Sequence, residues 1–465
     1  MAGETMDGVG MSHTEREAQL LEAAKQLVEA AQAKGADQAE AFASGGEMTQ
    51  VAFEDSDLKQ VQMDEFCSVG LRVIVDGRQG FCSTNQLGEA SLQQAAEDAL
   101  ALARMAPPDA FNGLPPTVEH GPALDMLSAD PLELSLDQTV QSGMELIGRV
   151  MARDARLSLD KADVTLSRVS QGLVNSLGAE QAESDAQVSV SVFGMAVDGD
   201  DVGGFDYACE RTRRQGQLQH CIEETVRTFA DGALGNLAAG SAESYEGPVL
   251  FAPSAFLSAF VSPLLAAASS MAVQRGRSAL EGKLGQQVTN DVLTILDDPH
   301  NLELAGAGSF DREGQPTRRF ELLKAGVLQG LFYNGYSAQV DGVVSTGHAR
   351  GGARGVPGLG PHAVHVLGGS GGSSEELTRT LGKGLLVQRF SGSVDPASGD
   401  FSGVAKSARW VENGQVVRSV KETLIAGNAF ELLRGQLSLS STPESLMGVS
   451  LAPWALVDGL SVTAG

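Results

Sequence analysis

The sequence predicts an α+β protein: an N-terminal α/β domain with an antiparallel sheet and packed helices, then a C-terminal, mainly antiparallel β domain of barrel-like form. Three observations predict it. Amphipathic helical stretches alternate with β-rich runs up to about residue 230; small and polar residues gather in "LGNLAAGSAESYEGP", residues 234 to 248; and beyond that point glycine grows denser and hairpin signatures dominate. These place the two domains at 12–240 and 246–452.

The first element is a helix in "SHTEREAQLLEAAKQLVEAAQAKG". Leu20, Leu21, Ala24, Leu27, Val28 and Ala31 form one apolar stripe, Thr14 is the expected cap with Glu17 reaching back, and Gly35 supplies a left-handed stop. Short alternating runs follow. In "CSVGLRVIVDGRQGFCST", Asp76-Gly77 sits between two β-rich stretches as a hairpin turn does. "LGEASLQQAAEDALALARMA" is a second amphipathic helix, stopped before Pro107-Pro108, and "SLDQTVQSGMELIGRVMARD" is a third. Strands resume from "ADVTLSRV" to "DVGGFDYA". In the second domain Ala325-Gly326 and Asn413-Gly414 mark two further hairpins.

From 247 to 274 no residue is charged. A membrane span needs about 20 strongly apolar residues, whereas this stretch carries Pro253, Pro263, repeated serines and much alanine. Leu257, Val261, Leu264, Leu265 and Ala268 recur at helical spacing, so a kinked, buried helix from about Ser254 is expected.

Fifty-nine acidic against 33 basic residues give a formal charge of −26, which repels nucleic-acid phosphates and anionic membranes. The mean hydropathy is close to zero, as in ordinary soluble domains. Cys67, Cys82, Cys209 and Cys221 form no CxxC pair, so they read as reduced thiols, and the opening "MAGETMDGVGMSHTERE" lacks the pattern of a signal peptide. A cytoplasmic protein without nucleic-acid or membrane partners is expected.

Few motifs carry chemistry. No His-Glu dipeptide occurs, and of the histidines 13, 120, 220, 300, 348, 362 and 365 only the last two are close; on a strand, their odd separation would turn them to opposite faces. Gly368–Gly372 matches G-x-S-x-G around Ser370, but no histidine follows His365, and Ser373 or Ser374 before Glu375-Glu376 reads as a helix cap. Asp395 and Asp400 face each other across a turn, where such residues commonly bond to their own backbone. The stretch "STGHARGGARGVPGLGPH" is locally basic through Arg350 and Arg354, and is either a ligand-wrapping loop or a plain solvent loop.

Taken in order, "VGLRVIVDGRQGFCST", "GLVNSLG", "STGHARGG", "DPASGDFSG" and "WVENGQVVRSVKETLIAGN" resemble the TldD/PmbA family of peptidases, once described as modulators of DNA gyrase. In that family the TldD-type subunit carries HExxxH on the helix that opens the C-terminal domain, with a late cysteine completing a zinc site. Here that region reads "SAFLSAFVSPLLAAASS", and no cysteine follows Cys221. The resemblance therefore implies the other, TldE (PmbA) branch: no catalytic or metal residues and no cofactor in this chain, with zinc held by a TldD-type HExxxH partner. It further implies a heteromer that cleaves peptides or unfolded small proteins, with a homodimer when the chain is alone. His348, Arg350, Arg354, Asp400, Phe401 and Ser402 are the implied substrate or partner contacts. Two alternatives stand beside this one: a self-sufficient peptidase or amidase using Ser370 or the Asp395/Asp400 pair, and a non-catalytic regulatory protein.

Overall fold

The computed structural model describes residues 11–116, 121, 123–127, 132–421 and 423–464. Positions 1–10 and His120 lie outside the described residues.

The first half is a single antiparallel sheet with helices on one face. The chain runs α1 (His13–Ala33), β1 (Gln38–Glu54), β2 (Asp57–Val75), β3 (Arg78–Thr84), α2 (Glu89–Met105), α3 (Leu136–Arg153), β4 (Leu157–Asn175), β5 (Glu180–Asp198), β6 (Asp201–Val202), β7 (Asp206–Thr212) and α4 (Leu218–Leu234). The strand order is β3-β2-β1-β4-β5-β6, with β7 also on β5. Alternation along β1 decides what each face does. Its odd residues Ala39, Ala41 and Ala43 meet Leu20 and Leu27 of α1 and Leu92 of α2, while Val51 and Phe53 meet Leu146 of α3 and Phe229 of α4. Its even residues Glu40 and Phe42 turn the other way, toward the second half.

Local signals account for most boundaries. Asp76 and Gly77 both adopt positive φ, at 50° and 71°, the two-residue turn that suits a right-twisted hairpin, and Gly35 ends α1 at 96°. The cap of α1 is one correction: Ser12, not Thr14, accepts the Glu15 N–H at 3.3 Å, and the Glu15 carboxylate bonds back to the Ser12 N–H at 3.0 Å. The same capping box is available two positions earlier than the stripe alone suggested, and it gives the helix one extra residue pair.

The second half holds a nine-stranded sheet in the order Arg389–Val394, Asp400–Lys406, Thr423–Asn428, Ala455–Thr463, β8 (Tyr245–Phe251), Gly384–Val387, Ala408–Glu412 and Gln415–Val420, with Leu437–Leu439 beside Ala455–Thr463. It curls into a half-barrel, and its end strands do not pair with each other. Ala455–Thr463, beyond the expected limit at 452, is a central strand of this sheet. A second sheet of six short strands includes Ile295–Asp297, Phe320–Lys324 and Val364–Val366. Both other expected hairpins form, with Ala325-Gly326 at 46° and 74° and Asn413-Gly414 at 52° and 73°.

The charge-free stretch is the buried, irregular helix its pattern predicts. Helical residues Pro253–Phe256 pass into a π-helical turn, Leu257–Val261, before α-helix resumes at Ser262–Ala267. Pro263 lacks an N–H, which fits the break in the i→i−4 ladder there. Phe256, Ala259, Phe260 and Val261 are fully buried against the curled sheet. Among the described residues no helix is long and apolar enough to cross a membrane.

Candidate functional site

Three features meet where the two halves join. The first is the outer face of the π-turn helix. Ser254 and Leu257 are half-buried, and Ser258 and Ser262 are exposed, whereas the inward face is apolar. A π-turn brings residues five apart onto one face, a distortion frequent at functional sites. Ser254 and Ser258 line a cleft of about 700 Å³ that also takes in Phe205 and Tyr207 from the first half and Arg389, Phe390 and Val404–Ser407 from the second. Arg389 ties the two halves together beneath it: its guanidinium bonds Asp206 at 2.6 Å and lies 4.6 Å over the Tyr207 ring. Burial pushes the Asp206 carboxyl up, and the Arg389 charge opposes this.

The second feature is a buried imidazole pair. His348 packs between Phe320 and Phe332, with ring centroids 4.9 and 4.6 Å away, and His362 lies 5.7 Å beyond it. His362 bonds Gly347 O through Nε2 and the Arg350 guanidinium through Nδ1, both at 2.8 Å, so Nε2 carries the proton and Nδ1 accepts. Asp297 accepts the His362 N–H at 2.9 Å and also binds the Ala363 N–H, and His348 Nε2 approaches it to 3.1 Å. Burial alone would raise the Asp297 carboxyl, but the two rings and these N–H groups hold it below the ordinary carboxylate range.

His362 should make folding acid-sensitive. Burial first, and the Arg350 charge second, push its pKa down to about 4 from 6.5. Between those values the unfolded chain binds a proton that the folded chain does not, so stability is intact above about 6.5 and falls as pH drops toward about 4. From pH 7 to pH 5 the loss is about 2 kcal/mol. Urea unfolding at the two pH values should show His362→Asn losing less than the wild type by about that amount; equal losses would refute the assignment.

The third feature is a buried charge network. Glu40 and Arg72 are directly opposite on β1 and β2, 2.9 Å apart. Arg72 also bonds Glu313 at 2.8 Å, and Arg312 bonds Glu40 at 3.0 Å while stacking 4.3 Å over Phe42. Glu313 accepts the Gly335 N–H at 2.6 Å. Asp311 accepts the N–H groups of Glu313, Gln315 and Ala349, yet burial and the Glu313 charge push its carboxyl upward. The turn "DREGQ" thus clamps the second half to the first sheet. Beside it, Gly70 allows a close approach, since a Cβ there would lie 2.1 Å from the Ala353 carbonyl oxygen.

The six implied contact residues are not gathered in one pocket. His348 is 1 % exposed, so contact with a ligand requires its loop to open. Arg350 and His362 line a cavity of about 150 Å³, and Arg354 lines another of about 510 Å³ with Arg16 and Cys67. Asp400 and Ser402 point outward from their strand, while Phe401 points inward onto Phe260, 5.8 Å away. Arg350 lies not on a plain solvent loop but on a ribbon, Ala349–Arg350 pairing with Gly358–Leu359. His362 is a further correction: it precedes the strand Val364–Val366 and meets His348, not His365. Ser370 is exposed, and Ser373 forms the capping box with Glu376. Asp395 accepts the Ala397 N–H at 2.9 Å, as a turn-former does. Asp297, Asp311, Arg312 and Glu313 were not singled out from the sequence; the dense charges of "DREGQ" beside a glycine turn were the available signal. Among the described residues no cluster of three or more His, Cys, Asp or Glu side chains could hold a metal.

The sequence that folds this way matches a metallopeptidase family in both halves. Two family models match the chain, the "PmbA/TldA metallopeptidase C-terminal domain" over residues 244–464 and "PmbA/TldA metallopeptidase domain 1" over 39–103. The chain is 28 % identical to Metalloprotease PmbA of Escherichia coli O157:H7 over 94 % of each chain. It is 29 % identical to a Metalloprotease PmbA homolog of Haemophilus influenzae over 83 % of this chain and 84 % of that one. The crystal structure of TldE from Thermococcus kodakarensis superposes with a TM-score of 0.84 at 23 % identity, covering 95 % of this chain and all of the other. The chain belongs to the PmbA/TldD family.

Proposed function

We propose that this chain is the TldE-type, non-metal subunit of a two-component zinc peptidase that acts on peptides and unfolded small proteins. The observation that carries the reading is the outer face of the π-turn helix. HExxxH sets its histidines five residues apart, the spacing a π-turn brings to one face, with the glutamate beside the first. At the positions with that spacing and exposure stand Leu257, Ser258 and Ser262. None can bind zinc or deprotonate a metal-bound water, so the residues present do not fit the metal. The helix keeps its packing and its turn while lacking ligands, and hydrolysis falls to a partner that has them. What this chain's own residues contribute is a wall of the substrate space: Ser254 and Ser258 beside a cleft open to an extended chain. A cytoplasmic setting belongs to the same reading, supported by four cysteines that form no disulfide.

The test is direct. Purified alone, the chain should hold no stoichiometric zinc by mass spectrometry and show no chelator-sensitive peptide hydrolysis; mixed with an HExxxH-bearing relative, it should form a heteromer with such activity. Zinc firmly bound by the isolated chain through its own side chains would end the proposal.

A further inference from the structure

The cleft of about 700 Å³ beside the π-turn helix has a chemistry at odds with the rest of the chain. Its rim carries Phe205 and Tyr207, 55 % and 47 % exposed, with Phe205 stacked on Phe193 at 5.0 Å. Phe390 lines the opposite wall. Three cations line it, Arg389, Lys406 and Lys421, against one acid, Asp201. The Arg389 charge is already satisfied by Asp206, and Asp201 accepts the Ala238 N–H at 2.6 Å. Lys406 and Lys421 are exposed and make no ion pair with any described residue. In a protein with a formal charge of −26, a cleft lined by three cations and one acid departs from the average surface.

We propose that this cleft binds extended peptide segments in which Asp or Glu lies next to apolar residues. The ammonium groups supply long-range attraction and register, and the aromatic rim supplies apolar area and stacking surface. The inference rests on the peptide-handling reading above and adds to it the class of sequence selected. A single-stranded nucleic acid also offers negative charge and flat rings, but its one phosphate per nucleotide meets the repulsion of the whole acidic surface, which a peptide with two or three carboxylates largely escapes.

The test uses the full chain without a partner and without zinc. Fluorescence anisotropy is measured with a short labelled peptide of Glu, Phe and Leu in a Gly-Ser background, with the same peptide carrying Lys for Glu, and with an oligothymidylate of equal length. The Glu peptide should bind about tenfold or more tighter than the Lys peptide, and more weakly as salt rises. Lys406→Glu/Lys421→Glu should abolish that preference with a thermal melt matching the wild type, since both lysines are exposed, and Phe205→Ser should weaken binding of the Glu peptide severalfold. Equal binding of the two peptides, no effect of the charge reversal, or tighter binding of the oligothymidylate would overturn the proposal. Because no titration involves zinc or a partner, the subunit assignment can fail with this selectivity intact, and the selectivity can fail with the assignment intact.

Discussion

Glu40→Gln is expected to lower the unfolding free energy by about 3–5 kcal/mol, because it strips the shared anion from two buried arginines. Arg72 and Arg312 both bond the Glu40 carboxylate, and all three side chains are 3 % exposed or less. With a neutral amide in its place, Arg72 keeps Glu313, but Arg312 is left facing an uncharged group in a site that water does not reach. Stacking on Phe42 offsets only a small part of that cost. The carboxylate also bridges the first sheet to the turn 311–315, so the loss should come with looser attachment of that turn and easier proteolysis near 350–358. Urea denaturation at pH 7 checks the magnitude. Glu47→Gln is the matched control, since Glu47 bonds Arg16 at 2.6 Å with a third of its side chain exposed, and there the cost should stay within about 1 kcal/mol. If both variants lose the same amount, the network does not clamp the two halves.

What was legible in the sequence was local. The turns at Asp76-Gly77, Ala325-Gly326 and Asn413-Gly414 announce themselves because only a few residue types tolerate two consecutive positive φ angles, and the stripe of α1 is legible because one face of that helix does all the packing. The charge-free helix was legible for the same reason, although its π-turn was not. The joint between the halves was not legible. Glu40 reads as one acid on an alternating strand and Arg312 as one base in a turn, and only the pairing of positions 272 residues apart makes them a network. His348 and His362 were missed as a pair in the same way: fourteen residues separate them in the chain, and the short ribbon at 349–350 and 358–359 folds that interval back on itself. The six contact residues show the converse. They share motifs that identify a family, but motif proximity does not fix which side of a strand a residue takes, so Phe401 packs inward between two outward neighbours.

Phe260→Ala should cost about 3–5 kcal/mol, and its effect should be felt at the cleft as well as in the stability. Phe260 sits on the π-turn, fully buried, and its ring touches three others: Phe251 at 5.1 Å on β8, Phe256 at 5.8 Å on the preceding turn, and Phe401 at 5.8 Å on the strand Asp400–Lys406. Edge-on packing of this kind adds to the area each ring buries, and the backbone of a strand and a helix cannot both collapse into the space the ring vacates. Because the opposite face of the same turn presents Ser258 to the cleft, a shift of the helix into the cavity also moves that wall. Phe260→Leu, which refills most of the volume, should recover the larger part of the loss. Denaturation midpoints of the two variants decide the first half of the prediction, and titration of the Glu peptide decides the second: Phe260→Ala should weaken its binding more than Phe260→Leu does, since leucine refills most of the vacated volume. A cost below about 1 kcal/mol for Phe260→Ala would mean that the helix is held by its other buried residues, Phe256 and Val261 among them, and that the π-turn is not anchored through this ring.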